Sequence, residues 1–216
     1  MRRLIIPILL LMCIMLSACQ SRDPFVGEDR IKALRSEAAE YTSARYFLFN
    51  VDSDKLEQVF TYCYNDDDTQ SYMYETEGSE YYVEYSDGKK LLRGNLNLHE
   101  EVPQGVDEFA VYTKKEPHPY SDGQLLFYVA DAISSAEQTT DAAGNTLYIY
   151  YYDTEKLNKM MGGSLTDFVT SYSFDGSGNF VYIRQHNVSS DGQSFTYEIS
   201  MQDVNAIATV ENPFES

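Results

Sequence analysis

The chain has 216 residues, with 16 Lys and Arg against 34 Asp and Glu, for a net charge of −18. So acidic a molecule repels phosphate backbones, which excludes nucleic acid as a partner, and anionic lipid headgroups repel it too. With 43% hydrophobic residues, 19 Tyr, 11 Phe and no Trp, its length suits one ordinary domain with a real core.

The opening segment, MRRLIIPILLLMCIMLSACQ, starts with Arg2 and Arg3 and continues as an apolar run from Leu4 to Leu16. A bilayer-spanning helix needs about 20 apolar residues, and this run stops short at Ser17-Ala18-Cys19. A charged start, a short apolar stretch and small residues at the break read as an export signal that is cut off. Leu16-Ser17-Ala18-Cys19 resembles the lipobox of bacterial lipoproteins. The resemblance implies cleavage before Cys19, a diacylglycerol thioether on its sulfur, and an extracytoplasmic protein held to the bacterial cell membrane by acyl chains. Leu10-Leu11-Met12-Cys13 is a rival box, but Met12 is too bulky for the position before the cut. A plain secretory signal, with Cys19 an ordinary thiol, or a buried N-terminal helix is the alternative. The expected organisation is a signal over residues 1–18, a lipidated cysteine and short tether over 19–27, and a single antiparallel-sheet domain over 28–216.

Loss of residues 1–18 removes two arginines and no acids, so 198 residues remain and the net charge moves from −18 to −20. Cys13 leaves with the signal and Cys19 is expected to carry lipid. Cys63 then stands without a disulfide partner in the chain, although exported proteins often use such bridges. Within Val-Phe-Thr-Tyr-Cys-Tyr it reads as a small buried apolar residue.

Along the domain, Ile31, Leu34, Ala38 and Tyr41 recur at helical spacing, which predicts an amphipathic helix over Glu28 to Tyr41. From Arg45 the period changes to two. RYFLFN, VFTYCY, QSYMYE, EYYVEY and KKLLRGN read as strands of a meander, separated by the turn clusters Asn65–Asp68, Glu77–Ser79 and Ser86–Gly88. FAVYT is one further strand in a proline-bearing stretch. Ser121 and Gln124 have capping-box spacing, and Leu125, Leu126, Val129, Ala130 and Ile133 follow at helical intervals, so a helix is predicted from about Asp122 to Gln138. TLYIYYY is a strand, and Asp153 to Met161 a short helix stopped by Gly162-Gly163. LTDFVTSYSF, NFVYIRQH and SFTYEIS return as strands, and the tail VNAIATVENP is a candidate final strand.

Tyr62 and Tyr64, Tyr72 and Tyr74, Tyr148, Tyr150 and Tyr152, and Phe180 and Tyr182 occupy alternating positions, with aliphatic or small neighbours between them. Successive side chains of a strand point to opposite faces. The expectation is one aliphatic face packed on the helices and one tyrosine face. That second face either stabilises a half-exposed sheet through cross-strand pairs or accepts an amphipathic ligand. On the ligand reading Tyr62, Tyr72, Tyr148, Tyr150 and Tyr182 are the binding residues.

No catalytic constellation is expected, and no cofactor or metal. His99, His118 and His186 are widely separated, with no HExxH and no G-x-S-x-G elbow. The acidic clusters at Asp52 and Asp54, Asp66–Asp68, and Asp175 with Asn179 lack EF-hand spacing.

The order of a cleaved lipoprotein signal, an N-terminal helix, a meander, a helix near residue 125 and returning strands ending in ATVENP resembles the half-barrel lipoprotein carriers of the LolA and LppX/LprG type. The resemblance implies an α+β fold: a strongly curved antiparallel sheet of about 10–11 strands, with an N-terminal helix and one or two further helices packed on it. It also implies a membrane-anchored, non-enzymatic protein holding a lipid-like ligand. A scaffold lipoprotein docking an envelope protein through its tyrosine face is the competing expectation.

Overall fold

The computed structural model describes residues 25–64, 70–76, 81–96, 104–110 and 127–215. The expected signal, Cys19, the Asn65–Asp68 and Glu77–Ser79 turns, His99, His118 and the first part of the helix expected near residue 125 lie outside them.

Helix α1 (Glu28–Ala39) forms where the spacing predicts it, with Ile31, Leu34 and Ala38 as its buried stripe. Gly27 precedes it at φ 76°, and Glu28 and Asp29 place acids in the first turn, where the helix dipole favours them. Full burial of Ile31 and Leu34 stabilises by roughly 1.5–3 kcal/mol each. That burial, more than propensity, holds so short a helix in place.

Among the described residues eleven strands follow: β1 (Ser43–Asn50), β2 (Lys55–Tyr64), β3 (Gln70–Thr76), β4 (Tyr81–Ser86), β5 (Lys90–Leu96), β6 (Gln104–Ala110), β7 (Ile133–Thr140), β8 (Thr146–Tyr152), β9 (Leu165–Phe174), β10 (Phe180–Ser189) and β11 (Ser194–Gln202). They make one antiparallel sheet in the order β6-β5-β4-β3-β2-β1-β11-β10-β9-β8-β7, open at β6 and β7. Two meanders therefore meet at the β1–β11 pair, where Leu48 stands opposite Ile199. Helix α2 (Thr154–Met161) joins β8 to β9. Asp153 caps it by accepting from Lys156 N at 3.1 Å, and Gly162 ends it at φ 72°.

The register decides which face is the core. Tyr62 is opposite Ala44 and Tyr72, Ile183 is opposite Tyr172 and Ile199, and Tyr148 is opposite Tyr172. Tyr46, Phe60, Tyr62, Tyr150, Tyr152, Tyr172, Ile183 and Ile199 thus pack with Ile31, Leu34 and Ala38 in one buried cluster. This reverses the expected assignment: the tyrosine-rich face, not the aliphatic one, lies under α1. A phenol ring buries more apolar surface than a Leu or Val, so it fills the space under a helix provided its hydroxyl finds an acceptor. On β10 the sides are exchanged, and Ile183 faces the core while Tyr182 faces outward.

Two further expectations are corrected. Of the helix predicted from Asp122 to Gln138, the described part is an extended Phe127–Val129, a single 3-10 turn at Ala130–Ala132 and then strand β7. The sequence ISSAEQTT is rich in Ser and Thr, which a strand accommodates better than a helix interior. Ala136 also supplies the small partner opposite the bulky Tyr150. The tail adds no strand either. It runs as a strap over the outer face of the sheet, with Asn205 N donating to Ser43 O at 2.8 Å, Ile207 N to Ser43 Oγ at 3.0 Å, and Val210 N–H reaching the Cys63 sulfur. Cys63 is buried beneath it, as expected for an apolar thiol. Burial pushes the Cys63 thiol above its ordinary range, with the Val210 bond opposing.

Candidate functional site

Helix α1 starts beside β8 and ends at the entry to β1, so it crosses the β9, β10 and β11 ends of the sheet. Its start is fixed by two contacts. The Tyr150 hydroxyl donates to Val26 O at 2.8 Å. Gly27 lies so close to the Tyr148 ring that a Cβ there would come within 2.3 Å of it. The β9–β10 hairpin reaches up to the helix through Asp175-Gly-Ser-Gly-Asn179. Asp175 N donates to Asn179 O at 2.9 Å, while the Asp175 carboxylate accepts from Ser177 N and Asn179 N. The β7–β8 turn is built the same way on Asp141 and Asn145. Gly178 at φ 87° leaves the space into which the Arg30 guanidinium fits, 2.1 Å from where a Cβ would stand.

Between helix and hairpin lies a groove of 520 Å³, within the range of small-molecule sites. Leu34, Phe174, Phe180 and Met201 supply its apolar surface, and Arg30 and Glu37 from α1, with Tyr41 just beyond it, its polar rim. Arg30 lies 4.9 Å over the Phe174 ring, and Phe180 meets Phe174 edge-on at 6.1 Å. Burial, and secondarily the Glu37 carboxylate, raise Tyr41 above the ordinary phenol range, so Tyr41 stays a neutral hydrogen-bonding group at the rim.

The five tyrosines read from the sequence are not gathered here. Tyr62 has no accessible surface and stacks between Tyr46 and Phe60 at 6.2 and 6.0 Å, and burial holds its hydroxyl far above the usual range. Tyr150 is equally enclosed, and a side chain without accessible surface lines no cavity. Tyr148 is half-buried, edge-on to Phe174 at 5.9 Å, and so one residue removed from the groove. Tyr72 pairs with Tyr62 across the β2–β3 ladder, and its side chain lies outside the described residues. Tyr182 is on the outer face, with its hydroxyl 3.4 Å from the Asp141 carboxylate and the Arg184 guanidinium 5.2 Å from its ring. Sequence reasoning missed Arg30, Glu37, Phe174, Phe180 and Met201. A signal existed in the predicted helix over Glu28 to Tyr41, where Arg30, Leu34, Glu37 and Tyr41 repeat at intervals of four, three and four along one side.

An open antiparallel sheet carrying helices on one face is a fold found in solved structures. LprF from Mycobacterium bovis has it, with a TM-score of 0.53 at 10% sequence identity, over 89% of this chain and 99% of that one. The lipoprotein LppX from Mycobacterium tuberculosis aligns over 87% of this chain and 98% of its own, at 11% identity and a TM-score of 0.39. By sequence the chain matches no protein-family profile and no curated protein. The expected resemblance to half-barrel lipoproteins is thus found in the fold.

Proposed function

We propose that the protein is a non-enzymatic binding lipoprotein, tethered outside the cell membrane through Cys19, that holds an amphipathic, lipid-like ligand between α1 and the sheet. The groove carries this reading. Its lining is amphipathic, with Leu34, Phe174, Phe180 and Met201 beside one guanidinium, one carboxylate and one phenol, and its size suits a small ligand. The fold shared with LprF and the Leu16–Cys19 lipobox support an extracytoplasmic lipoprotein. Docking of an envelope protein on the tyrosine face is the less supported reading, because Tyr62 and Tyr150 have no surface to offer.

Native mass spectrometry of the mature protein, purified from its own host without detergent, tests the reading. A bound mass in addition to the acyl anchor is expected, and Leu34→Glu, which puts a charge in the groove floor, should remove it. Ligand-free preparations throughout would refute it.

A further inference from the structure

Arg30 differs from the other described arginines. Arg45 pairs with Asp203 at 3.1 Å, Arg93 with Glu84 at 2.7 Å and Arg184 with Glu198 at 2.6 Å, while Arg35 donates to Tyr128 O at 3.2 Å. Arg30 makes no ion pair among the described residues. Among the described residues its partner is the Phe174 ring, with the guanidinium carbon 4.9 Å from the ring centroid, and a guanidinium carries five N–H donors. In a chain of net charge −18, a groove-lining cation with no ion pair among the described residues is a specific arrangement. Glu37 sits on the same wall two helical turns further on, about 10 Å along the axis. The groove is therefore polarised, positive at the Arg30 end and negative at the Glu37 end.

The number of residues between Cys19 and the domain sets a distance. Val26 is held by Tyr150 and Gly27 by the Tyr148 ring, so the described fold begins at Phe25. From Cys19 to Phe25 is at most about 22 Å of extended chain. Arg30 lies about 6 Å further along the start of α1. An acyl anchor on Cys19 keeps the groove mouth beside the leaflet in which that anchor sits.

We infer that the groove takes a single-chain amphiphile with an acidic head, drawn from the anchoring leaflet, with its head on Arg30 and its tail running over Leu34, Phe174 and Phe180 toward Met201. Glu37 repels the reversed orientation. A volume of about 520 Å³ is of the order of one acyl chain. The inference rests on the proposed binding role of the groove and adds the charge, chain number and source of the ligand.

The test uses the lipidated mature protein in phosphatidylcholine vesicles, with two photoreactive probes of identical tail: a palmitic acid and a monopalmitoylglycerol. The acid should label peptides containing Phe174 and Phe180, and Arg30→Gln should lower that labelling about tenfold, the scale of one charge-assisted hydrogen bond. Arg30→Lys should restore part of it, and labelling by the glyceride should be unchanged in both variants. Arg30 is exposed, so neither variant threatens the fold. Equal labelling by both probes, indifferent to Arg30, overturns the acidic head and leaves the binding groove standing. No labelling of groove peptides by either probe overturns the binding reading itself. A long Gly/Ser insertion before Pro24 should slow labelling by loosening the leash, and an unchanged rate overturns the leaflet as the source.

Discussion

Two buried phenols hold the two segments that cover the sheet, and deleting each hydroxyl separates their contributions. Tyr172 donates to Phe127 O at 2.6 Å, and Tyr150 donates to Val26 O at 2.8 Å. Phenylalanine keeps either ring in place, so Tyr172→Phe and Tyr150→Phe remove the hydroxyl and little else. The orphaned carbonyls then differ. Phe127 is buried, so its carbonyl loses its partner without gaining water, at a cost of about 2 kcal/mol. Val26 is half-buried and its carbonyl can be rehydrated, so Tyr150→Phe costs about 1 kcal/mol. In a domain of this size those values correspond to falls in Tm of about 4–8 °C and about 2–4 °C. Urea unfolding at equilibrium should show a lowered midpoint with an unchanged slope in both variants. The ring centroids are 6.0 Å apart, yet the acceptors lie on different segments, so the double variant should be additive within about 0.5 kcal/mol. A Tyr150→Phe cost equal to or above that of Tyr172→Phe, or no cost in either, would refute the assignment of these hydroxyls as ties.

The remaining predictions concern the helix entry, pH and the thiol. Gly27→Ala should destabilise by about 2 kcal/mol or more, since it combines a left-handed φ with a collision against Tyr148; a neutral unfolding midpoint counts against the Gly27–Tyr148 contact. Hydrogen bonds from Asn145, Asn179, and Ser189 with Gln193 hold Asp141, Asp175 and Asp191 below the ordinary carboxylate range. Their contribution is complete above the unfolded value near pH 4 and is lost as pH falls through the lower folded values, so stability should decline below about pH 4. At the other extreme, burial raises Tyr62, Tyr128, Tyr150 and Tyr172 and pushes Tyr152 up to about 12. Stability is then full below the unfolded phenol value near 10 and falls above it, and the tyrosinate absorbance of these residues should appear together with unfolding, not before it. Cys63 should resist alkylation in the native protein and react at once in urea, and deletion of residues 207–216 should expose it; fast native labelling would show that the strap does not cover it.

Most strands were legible because β-branched and aromatic residues alternate between turn clusters, and β8 and β9 coincide with the expected TLYIYYY and LTDFVTSYSF. Strand β7 was not, because an edge strand with one neighbour carries little apolar patterning, and Ser135, Gln138 and Thr140 resemble loop or helix surface. The choice of core face also escaped sequence reasoning. A tyrosine face and an aliphatic face both satisfy period two, and what decides between them is where α1 lands, a long-range fact. The groove is harder still, since Arg30 and Gly178 lie far apart in the sequence and meet only after β9 and β10 have paired.

The seam between β1 and β11 has a consequence for biogenesis. On the proposed export route the chain would emerge amino end first, so the leading meander could zip up early while β1 waits with its hydrogen-bonding edge bare. Its mate would arrive only when nearly the whole polypeptide has been released, because Arg45 pairs with Gln202. Pairings so distant along the chain are slow to form, and a naked strand edge recruits neighbouring molecules in the meantime. Truncated or stalled chains lacking β10 and β11 should therefore aggregate more readily than chains shortened within the carboxyl-terminal strap. Quality control outside the membrane would need to guard that one edge.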